Sequence, residues 1–174
     1  MQQHPPSIQV TVANLRRSDD LCAAAPLFDA YRQFYGQPSD LVASTQFLRE
    51  RGALGQSVLL LARTSSAQVV GFSQIYPSFS SSSLASIWVL NDLFVSEAAR
   101  RCGVARALLA AAESAARRAG AIRLTLKTQR KNRAAQALYE GMQWLRDEEF
   151  LTYHLRLDNN NHLPTGATNV NPHR

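Results

Sequence analysis

Residues 91–105 combine a strand, a turn and a helix start in an order that suits the binding of an anion. The sequence reads Asn-Asp-Leu-Phe-Val at 91–95 and Arg-Arg-Cys-Gly-Val-Ala at 100–105, and a helix rich in Ala and Leu follows. A glycine turn between a strand and a helix directs several backbone N–H groups at one point, where the helix dipole also favours negative charge. Gly103 and the small Ala105 would let the backbone approach phosphates closely. Neither GxxxxGK[ST] nor GxGxxG is present, which excludes a P-loop and a dinucleotide-binding turn.

Basic residues concentrate around the same turn. Ten of the 19 arginines and lysines, but only one of the 13 acids, lie within residues 100–133, so this window carries +9 in a chain of net charge +6. Such a window favours an anionic partner, which is a nucleic acid, a membrane surface or a phosphate-bearing small molecule. The sequence has no recognition-helix motif, no RNA-binding aromatic set and no lysine-rich arm. We therefore expect a small-molecule phosphate as the anion, and neither nucleic acid nor membrane as a partner.

Length and composition limit the protein class. The chain has 174 residues, of which 45% are hydrophobic and 18% charged, which fits one globular domain with a sizeable core. No stretch approaches the roughly 20 apolar residues of a membrane span, and the first residues do not resemble a signal peptide. The two cysteines, Cys22 and Cys102, exclude a disulfide scaffold and a CxxC metal knuckle. We expect a reduced, cytoplasmic protein without a metal site.

Hydrophobic periodicity predicts the elements that position the turn. We expect a flexible leader at residues 1–7, one domain over 8–157 and a polar C-terminal tail at 158–174. The domain should run β-α-α-β-β-β-α-β-α-β-β. The predicted strands are 8–12, 57–63, 69–76, 86–95, 121–127, 143–146 and 149–157; the predicted helices begin near Ser18, Ser39, Gly103 and Asn132, and Pro26 is expected to kink or divide the first.

The connection from 86–95 through a helix to 121–127 requires a parallel, right-handed crossover, whereas 57–76 forms an antiparallel hairpin. The fold class is therefore mixed α/β, with helices on both faces of a mixed, mostly antiparallel sheet.

Three motifs in order resemble those of the GNAT superfamily of acetyl-CoA-dependent N-acetyltransferases. The pattern [Arg/Gln]-x-x-Gly-x-[Gly/Ala] is met at 100–105, the Asp-Leu-Phe-Val strand precedes it, and Asn-x-x-Ala-x-x-x-Tyr follows from Asn132 to Tyr139. The resemblance covers residues 8–157, and the helix at 28–35 is most similar to the histone and polyamine acetyltransferase branch. It implies the GNAT fold, in which a central parallel strand pair splays apart. It also implies acetyl transfer from acetyl-CoA (coenzyme A) to a primary amine by direct attack in a ternary complex.

The resemblance also implies a set of cofactor-binding residues. Main-chain groups of the 91–95 strand would pair with the pantetheine arm and polarise the thioester carbonyl, backbone N–H groups of the turn would hold the pyrophosphate, and Asn132 would bond the cofactor arm. These residues are Leu93, Phe94 and Val95, then Arg100, Arg101, Cys102, Gly103, Val104, Ala105 and Arg106, and finally Asn132.

Two residues are candidates for proton transfer. The resemblance places Tyr139 near the sulfur as the acid that protonates the departing thiolate, and Asp92 is the candidate base, with a structural or a substrate-orienting role as its alternatives. Polyamine-acetylating relatives often carry Glu immediately before the position of Asp92. Here that residue is Asn91, which cannot act as a base and argues against a Glu-based mechanism and a polyamine substrate.

The substrate side of the site is less defined by sequence. We predict Tyr31, Tyr35 and Asp92 as substrate-binding residues, although aromatic residues at helical spacing also pack in cores. The acceptor is a small-molecule or peptide amine whose identity stays open, and relatives are often homodimers. A catalytically silent acyl-CoA-binding regulatory module is the alternative function, with Asn91 as its support.

Overall fold

The computed structural model describes residues 8–155 and residue 157. Contacts divide the chain into a first unit that ends at Lys127 and a second that begins at Thr128. The first contains β1 (Gln9–Val12), α1 (Ser18–Phe34), α2 (Leu41–Ala53), β2 (Val58–Arg63), β3 (Val69–Ser80), β4 (Ala85–Val95), a 3₁₀ turn (Glu97–Ala99), α3 (Val104–Arg118) and β5 (Leu124–Leu126). The second contains α4 (Arg133–Glu140). The leader predicted at 1–7 and the tail predicted at 158–174 lie outside the described residues.

The five strands of the first unit form one mixed sheet in the order β1-β2-β3-β4-β5. Three pairs are antiparallel, and β4 pairs with β5 in parallel across the connection through α3. This confirms the predicted mixed α/β sheet and its parallel pair. In the described sheet that pair lies at one end, because β5 is the last strand of the order.

Helices cover both faces of this sheet. On β3, a Cβ added at Gly71 would lie 3.1 Å from Val104 Cγ1 and 3.4 Å from a Leu108 methyl group, so Gly71 faces α3. The next residue, Phe72, has its ring centroid 5.9 Å from that of Phe28 on α1. Because successive side chains of a strand point to opposite faces, α1 and α3 lie on opposite sides of the sheet. The prediction of helices on both faces is confirmed.

Of the two outcomes predicted for the first helix, a kink or a division at Pro26, the division is wrong. Pro26 lies inside α1, which runs from Ser18 to Phe34 as one helix. Proline removes one helical hydrogen bond, but Pro26 is exposed while Ala25 and Phe28 are buried beside it. Packing of that apolar face offsets the lost bond and keeps the helix continuous.

The last two predicted strands are wrong within the described residues. None of residues 143–155 is in a strand, and the alternating Leu151, Tyr153 and Leu155 are 74%, 86% and 86% exposed. An apolar alternation marks a face that a strand could bury, but a strand also needs a neighbour that pairs with its backbone. The described part of the second unit contains no strand to supply that pairing. The strand predicted at 121–127 is likewise shorter, spanning only Leu124–Leu126.

None of the helices in the described part of the chain is both long and apolar enough to cross a bilayer.

Candidate active site

A one-residue irregularity in β4 controls the geometry of the predicted site. Gln74 of β3 pairs with Asp92, whereas the next residue, Ile75, pairs with Leu90. Asn91 is therefore an extra residue in β4, which makes it a β-bulge. A bulge reverses the alternation of side chains and backbone groups beyond it.

The bulge decides which face of the sheet receives Asp92. Ile75 lies four residues after Gly71 on β3, so its side chain points to the same face, toward α3. Its partner on β4, Leu90, also points to that face. Gln74 lies two residues after Phe72, so its side chain points to the opposite face, toward α1. The side chain of its partner Asp92 points the same way. Without the extra residue, Asp92 would share the α3 face with Leu90 and meet the apolar core. The bulge instead directs the carboxyl toward the tyrosines of α1.

The same bulge decides which backbone groups face the outer edge of β4. The Trp88 N–H donates to the Arg123 oxygen on the β5 side, while beyond the bulge the Ser96 N–H donates to the Val70 oxygen on the β3 side. The backbone N–H and C=O groups of successive strand residues point to alternate sides. Counting back from Ser96, those of Phe94 point toward β3, and those of Leu93 and Val95 point away from it.

Pairing of β4 with β5 ends at Leu90, so this stretch of the outer edge carries no β5 partner. The backbone groups of Leu93 and Val95 thus face the edge of β4 along which the pantetheine arm was predicted to bind. Phe94 differs, since its amide faces β3 and its ring lies 6.2 Å from that of Tyr31.

The turn before α3 has the backbone geometry of an anion-binding loop. Arg101 and Gly103 have φ angles of 64° and 80°, in the left-handed region, and Gly103 is the N-cap of α3. Left-handed residues within such a turn direct successive N–H groups into a shared concavity. The first amides of α3 lack intrahelical acceptors and add to it. Arg100, Arg101 and Arg106 are exposed, whereas Val104 is 1% exposed and packs in the core.

Substitution of Gly103 tests this loop. A Cβ at Gly103 would meet no atom within 4 Å, so Gly103→Ala introduces backbone strain of about 1–2 kcal/mol without a clash. We expect about tenfold weaker CoA binding in calorimetry, because relief of the strain rotates the amides of the loop. Gly120→Ala is the matched control, since Gly120 has a φ of 74° and equal space but lies beyond the other end of α3. Equal affinity losses in both variants would contradict an anion site at Gly103.

Three tyrosines surround Asp92 on the α1 face. Burial raises the pKa of Asp92, which is 6% exposed, while hydrogen bonds from the Tyr31 hydroxyl and from Asn91 Nδ2, at 3.0 Å, oppose that rise. Burial and the negative charge of Asp92 raise the pKa values of Tyr31 and Tyr35, and they raise that of Tyr76 to about 12. The hydroxyls therefore stay protonated at neutral pH and act as donors beside a carboxyl of increased basicity. The structure brings together the three predicted substrate residues, Tyr31, Tyr35 and Asp92.

A buried carboxylate fixes the connection between α1 and α2, and thereby the position of Tyr31 and Tyr35. Asp29 is 5% exposed and accepts five hydrogen bonds of 2.6–3.2 Å. Its donors are the side chains of Arg32, Gln33, Ser39 and Ser44 and the backbone N–H of Asp40. These bonds lower the pKa of Asp29 to about 2, led by the bond from Ser39, and they outweigh the opposing effect of burial. Ser39 is thereby engaged with Asp29, and Asp40 is the residue that caps α2 by accepting from the Ala43 N–H at 2.8 Å.

Asp29→Asn should destabilise the protein in a pH-dependent way. A folded-state pKa near 2, below the ordinary 3.8, contributes stability above about pH 4 that is lost as the pH falls toward 2. The shift corresponds to about 2 kcal/mol at pH 7. Urea unfolding should therefore show a wild-type advantage at pH 7 that narrows at pH 2–3. Asp40→Asn should cost little at either pH, because Asn caps helices as well as Asp; a gap that stays constant with pH would refute this account of Asp29.

The second unit presents the third motif on α4. The Asn132 side chain caps the helix by accepting from the Ala135 N–H at 3.2 Å, which confirms the predicted cap. Tyr139 lies two turns along the helix, with its ring centroid 6.1 Å from that of Trp144. Both residues are thus held in regular, capped structure within their unit.

Sequence reasoning missed several residues that shape the site. Tyr76 and Gln74 lie on β3, and their approach to Asp92 depends on strand register, which no local motif encodes. Asp29 was visible only as one polar residue in an aromatic run. Its three-residue spacing to Arg32 was a usable signal, since residues at i and i+3 are neighbours on a helix.

No cluster of three His, Cys, Asp or Glu side chains that could hold a metal ion occurs within residues 8–155 and 157.

Comparison with known proteins identifies relatives over most of the chain. The pattern of the family described as Acetyltransferase (GNAT) matches residues 24–160. The Uncharacterized N-acetyltransferase YhfO of Bacillus subtilis (strain 168) is 43% identical over 141 residues, which are 81% of this chain and 94% of that protein. A Probable acetyltransferase of Haemophilus influenzae is 35% identical over 88 residues, covering 51% of this chain and 60% of its own.

Solved structures agree with these relatives. The crystal structure of a probable acetyltransferase matches with a TM-score of 0.81 and 39% identity, over 87% of this chain and 99% of that one. An aminoglycoside acetyltransferase, meta-AAC0020 from an uncultured soil metagenomic sample, solved in complex with trehalose, matches with a TM-score of 0.73 and 14% identity, over 87% and 97% of the two chains. The latter likeness concerns the fold alone.

Proposed function

Because the chain belongs to the GNAT family of acetyltransferases, we propose that it transfers the acetyl group of acetyl-CoA to a primary amine by direct attack in a ternary complex. One observation carries the proposal. The bulge at Asn91 directs Asp92 toward three tyrosines on the α1 face and at the same time turns the backbone of Leu93 and Val95 toward the outer edge. A proton acceptor and an acyl-donor edge are thereby built on adjacent residues of one strand.

The residues of the first unit fit coenzyme A. The left-handed turn at Arg101 and Gly103 and the first amides of α3 suit a pyrophosphate, and the exposed arginines supply charge that pairs with phosphate. Leu93 and Val95 offer an amide and a carbonyl each to a pantetheine arm. Acetyl-CoA, when bound, supplies the thioester whose carbonyl carbon the amine attacks.

Each residue then has a defined task in the transfer. Asp92 accepts a proton from the substrate ammonium, so that the neutral nitrogen can form the new N–C bond as the C–S bond breaks. A backbone N–H of Leu93 or Val95 polarises the thioester carbonyl. Tyr139, assigned by its match to the family's Asn-x-x-Ala-x-x-x-Tyr motif, would donate a proton to the departing thiolate. The second proton, which the attacking nitrogen loses as the amide bond forms, would restore the Tyr139 hydroxyl, and Asn132 of the same motif would bond the cofactor arm.

We further propose that the two units act together as a single N-acetyltransferase domain over residues 8–157. The family pattern supports this, because it spans residues 24–160 and so includes both. A single cooperative transition in urea, seen alike by Trp fluorescence and by circular dichroism, is the expected result.

The silent-module alternative loses its support. It rested on Asn91 in place of a glutamate, but Asn91 is the bulge residue, and its Nδ2 donates to Asp92 Oδ1 at 3.0 Å. Asn91 therefore has a role in orienting a base without being one.

The acceptor proposed is a small-molecule or peptide amine held by Tyr31, Tyr35 and Asp92. Two other features stay part of the proposal: a reduced cytoplasmic location, which the exposed free thiols of Cys22 and Cys102 suit, and a homodimer. Light scattering of the purified chain tests whether it forms the homodimer.

An amine panel tests the proposed activity. Purified protein is incubated with acetyl-CoA and, in turn, amino acids, aminoglycosides, polyamines and peptides, and release of the CoA thiol is followed. Transfer to at least one amine, with a matching mass gain of one acetyl group, is expected. Calorimetry with acetyl-CoA alone runs beside it. Absence of binding would contradict the proposal, and binding without transfer to any amine would restore the silent module.

A further inference from the structure

Gln74 is a fully buried polar residue that the proposed mechanism does not use. It is 0% exposed, its Nε2 donates to Ser57 Oγ at 3.1 Å, and its Oε1 has no hydrogen-bond partner among the described residues. A buried acceptor without a donor costs about 1–3 kcal/mol. Such a cost at the centre of a sheet suggests that a donor reaches Oε1 in another state of the protein.

Register places Gln74 against Asp92. The two residues are partners in the β3–β4 ladder, and both side chains point to the α1 face. The Cβ atoms of directly opposed residues lie about 4.5–5.5 Å apart, which allows their side chains to meet. The Tyr31 hydroxyl and Asn91 Nδ2 donate hydrogen bonds to Asp92, so both favour the ionised carboxylate.

We propose that Gln74 is a positioning residue whose Oε1 accepts a hydrogen bond from Asp92 once that carboxyl has taken the proton of the substrate ammonium. The inference rests on the proposed role of Asp92 as the base. One N–H bond of the ammonium breaks and one O–H bond forms on Asp92, while Gln74 is chemically unchanged. An ionised Asp92 has no proton to donate, and the orphan acceptor gains its donor only in the protonated state. Gln74 therefore makes Asp92 a stronger base.

The other charged and titratable groups around Asp92 do not titrate in the same range. Tyr31 and Tyr35 face it from α1 and Tyr76 from β3, all with raised pKa values. The charge of Arg51, on α2, lowers the pKa of Tyr76 and so opposes part of that rise. A carboxyl titration observed at Asp92 thus reports on Asp92 itself.

The test is a ¹³C NMR titration of the protein labelled at aspartate carboxyl carbons, without substrate, with the Asp92 signal assigned by its loss in Asp92→Asn. Gln74→Met removes the acceptor at similar volume. We expect the pKa of Asp92 to fall by about one unit, the scale of one hydrogen bond. Ser57→Ala is the control; it keeps Oε1, and the pKa should stay within a few tenths of the wild-type value.

An unchanged pKa in Gln74→Met would overturn the inference. A raised pKa would also overturn it, because Gln74 would then act as a donor to the carboxylate. If Gln74→Met does not fold, Gln74→Asn withdraws the acceptor by one carbon while keeping the amide, and the same fall is expected. The titration needs no turnover, so an Asp92→Asn variant that retained activity would refute the base role separately.

Discussion

Tyr139→Phe is expected to lower kcat by about 10²- to 10⁴-fold, the usual contribution of a positioned general acid. The substitution removes the hydroxyl and leaves the ring, so packing against Trp144 and the fold should persist. A thiol-release assay at saturating acetyl-CoA measures kcat, and KM for acetyl-CoA should change little. An ordinary tyrosine has a pKa above that of a thiol, so protonation of the thiolate is uphill unless the bound state shifts one of them. The size of the loss therefore measures how much the hydroxyl contributes.

Tyr153→Phe is the matched control, because Tyr153 lies in the same unit and is 86% exposed. This substitution should leave kcat unchanged. A Tyr139→Phe enzyme within about threefold of the wild type would remove Tyr139 from the mechanism and leave it a packed aromatic residue.

Asp92→Asn is expected to lower kcat/KM by about 10²- to 10⁴-fold and to raise stability at neutral pH. Activity falls because an amide cannot accept the ammonium proton. Stability rises because the pKa of Asp92 is raised by burial, so the folded state loses stability as the pH increases through that pKa and the carboxyl ionises. Asn removes this loss while still accepting from Tyr31. Steady-state kinetics and thermal unfolding at pH 4 and pH 7 together test the prediction.

The joint outcome separates a purely structural role of Asp92 from a role in the reaction. A structural hydrogen-bonder would lose activity and stability together, whereas a base would lose activity and gain stability. Asp19→Asn controls for the change of net charge, since the Asp19 side chain is 79% exposed and should affect neither measurement.

Local motifs were sufficient to predict the turn before α3 and the elements around it. The glycine turn, the Asn132 cap and the order of strands and helices up to α4 depend on residues close together in sequence, and their backbone conformations follow from residue type. Gly103 has the left-handed φ that a glycine turn predicts, and the basic window lies on α3 and the segments around it. Alternation was insufficient for the segment after Trp144, because a strand needs a partner as well as a pattern.

The substrate side depended on pairing between distant segments. One extra residue, Asn91, reverses the face of the sheet to which each following side chain of β4 points. A sequence as short as Asn-Asp-Leu-Phe-Val does not reveal such a bulge. This reversal decides that Asp92 meets Tyr31 instead of the core, that the backbone groups of Leu93 and Val95 face outward, and that Gln74 lies on the same face as Asp92. The amino-acid sequence alone was therefore enough to identify the family and to predict the left-handed glycine turn that is proposed to bind the acyl donor, since these depend on local motifs. Only the tertiary structure decided which side chains surround the carboxyl and how they shift its pKa, because register and burial arise from contacts between residues far apart in the chain.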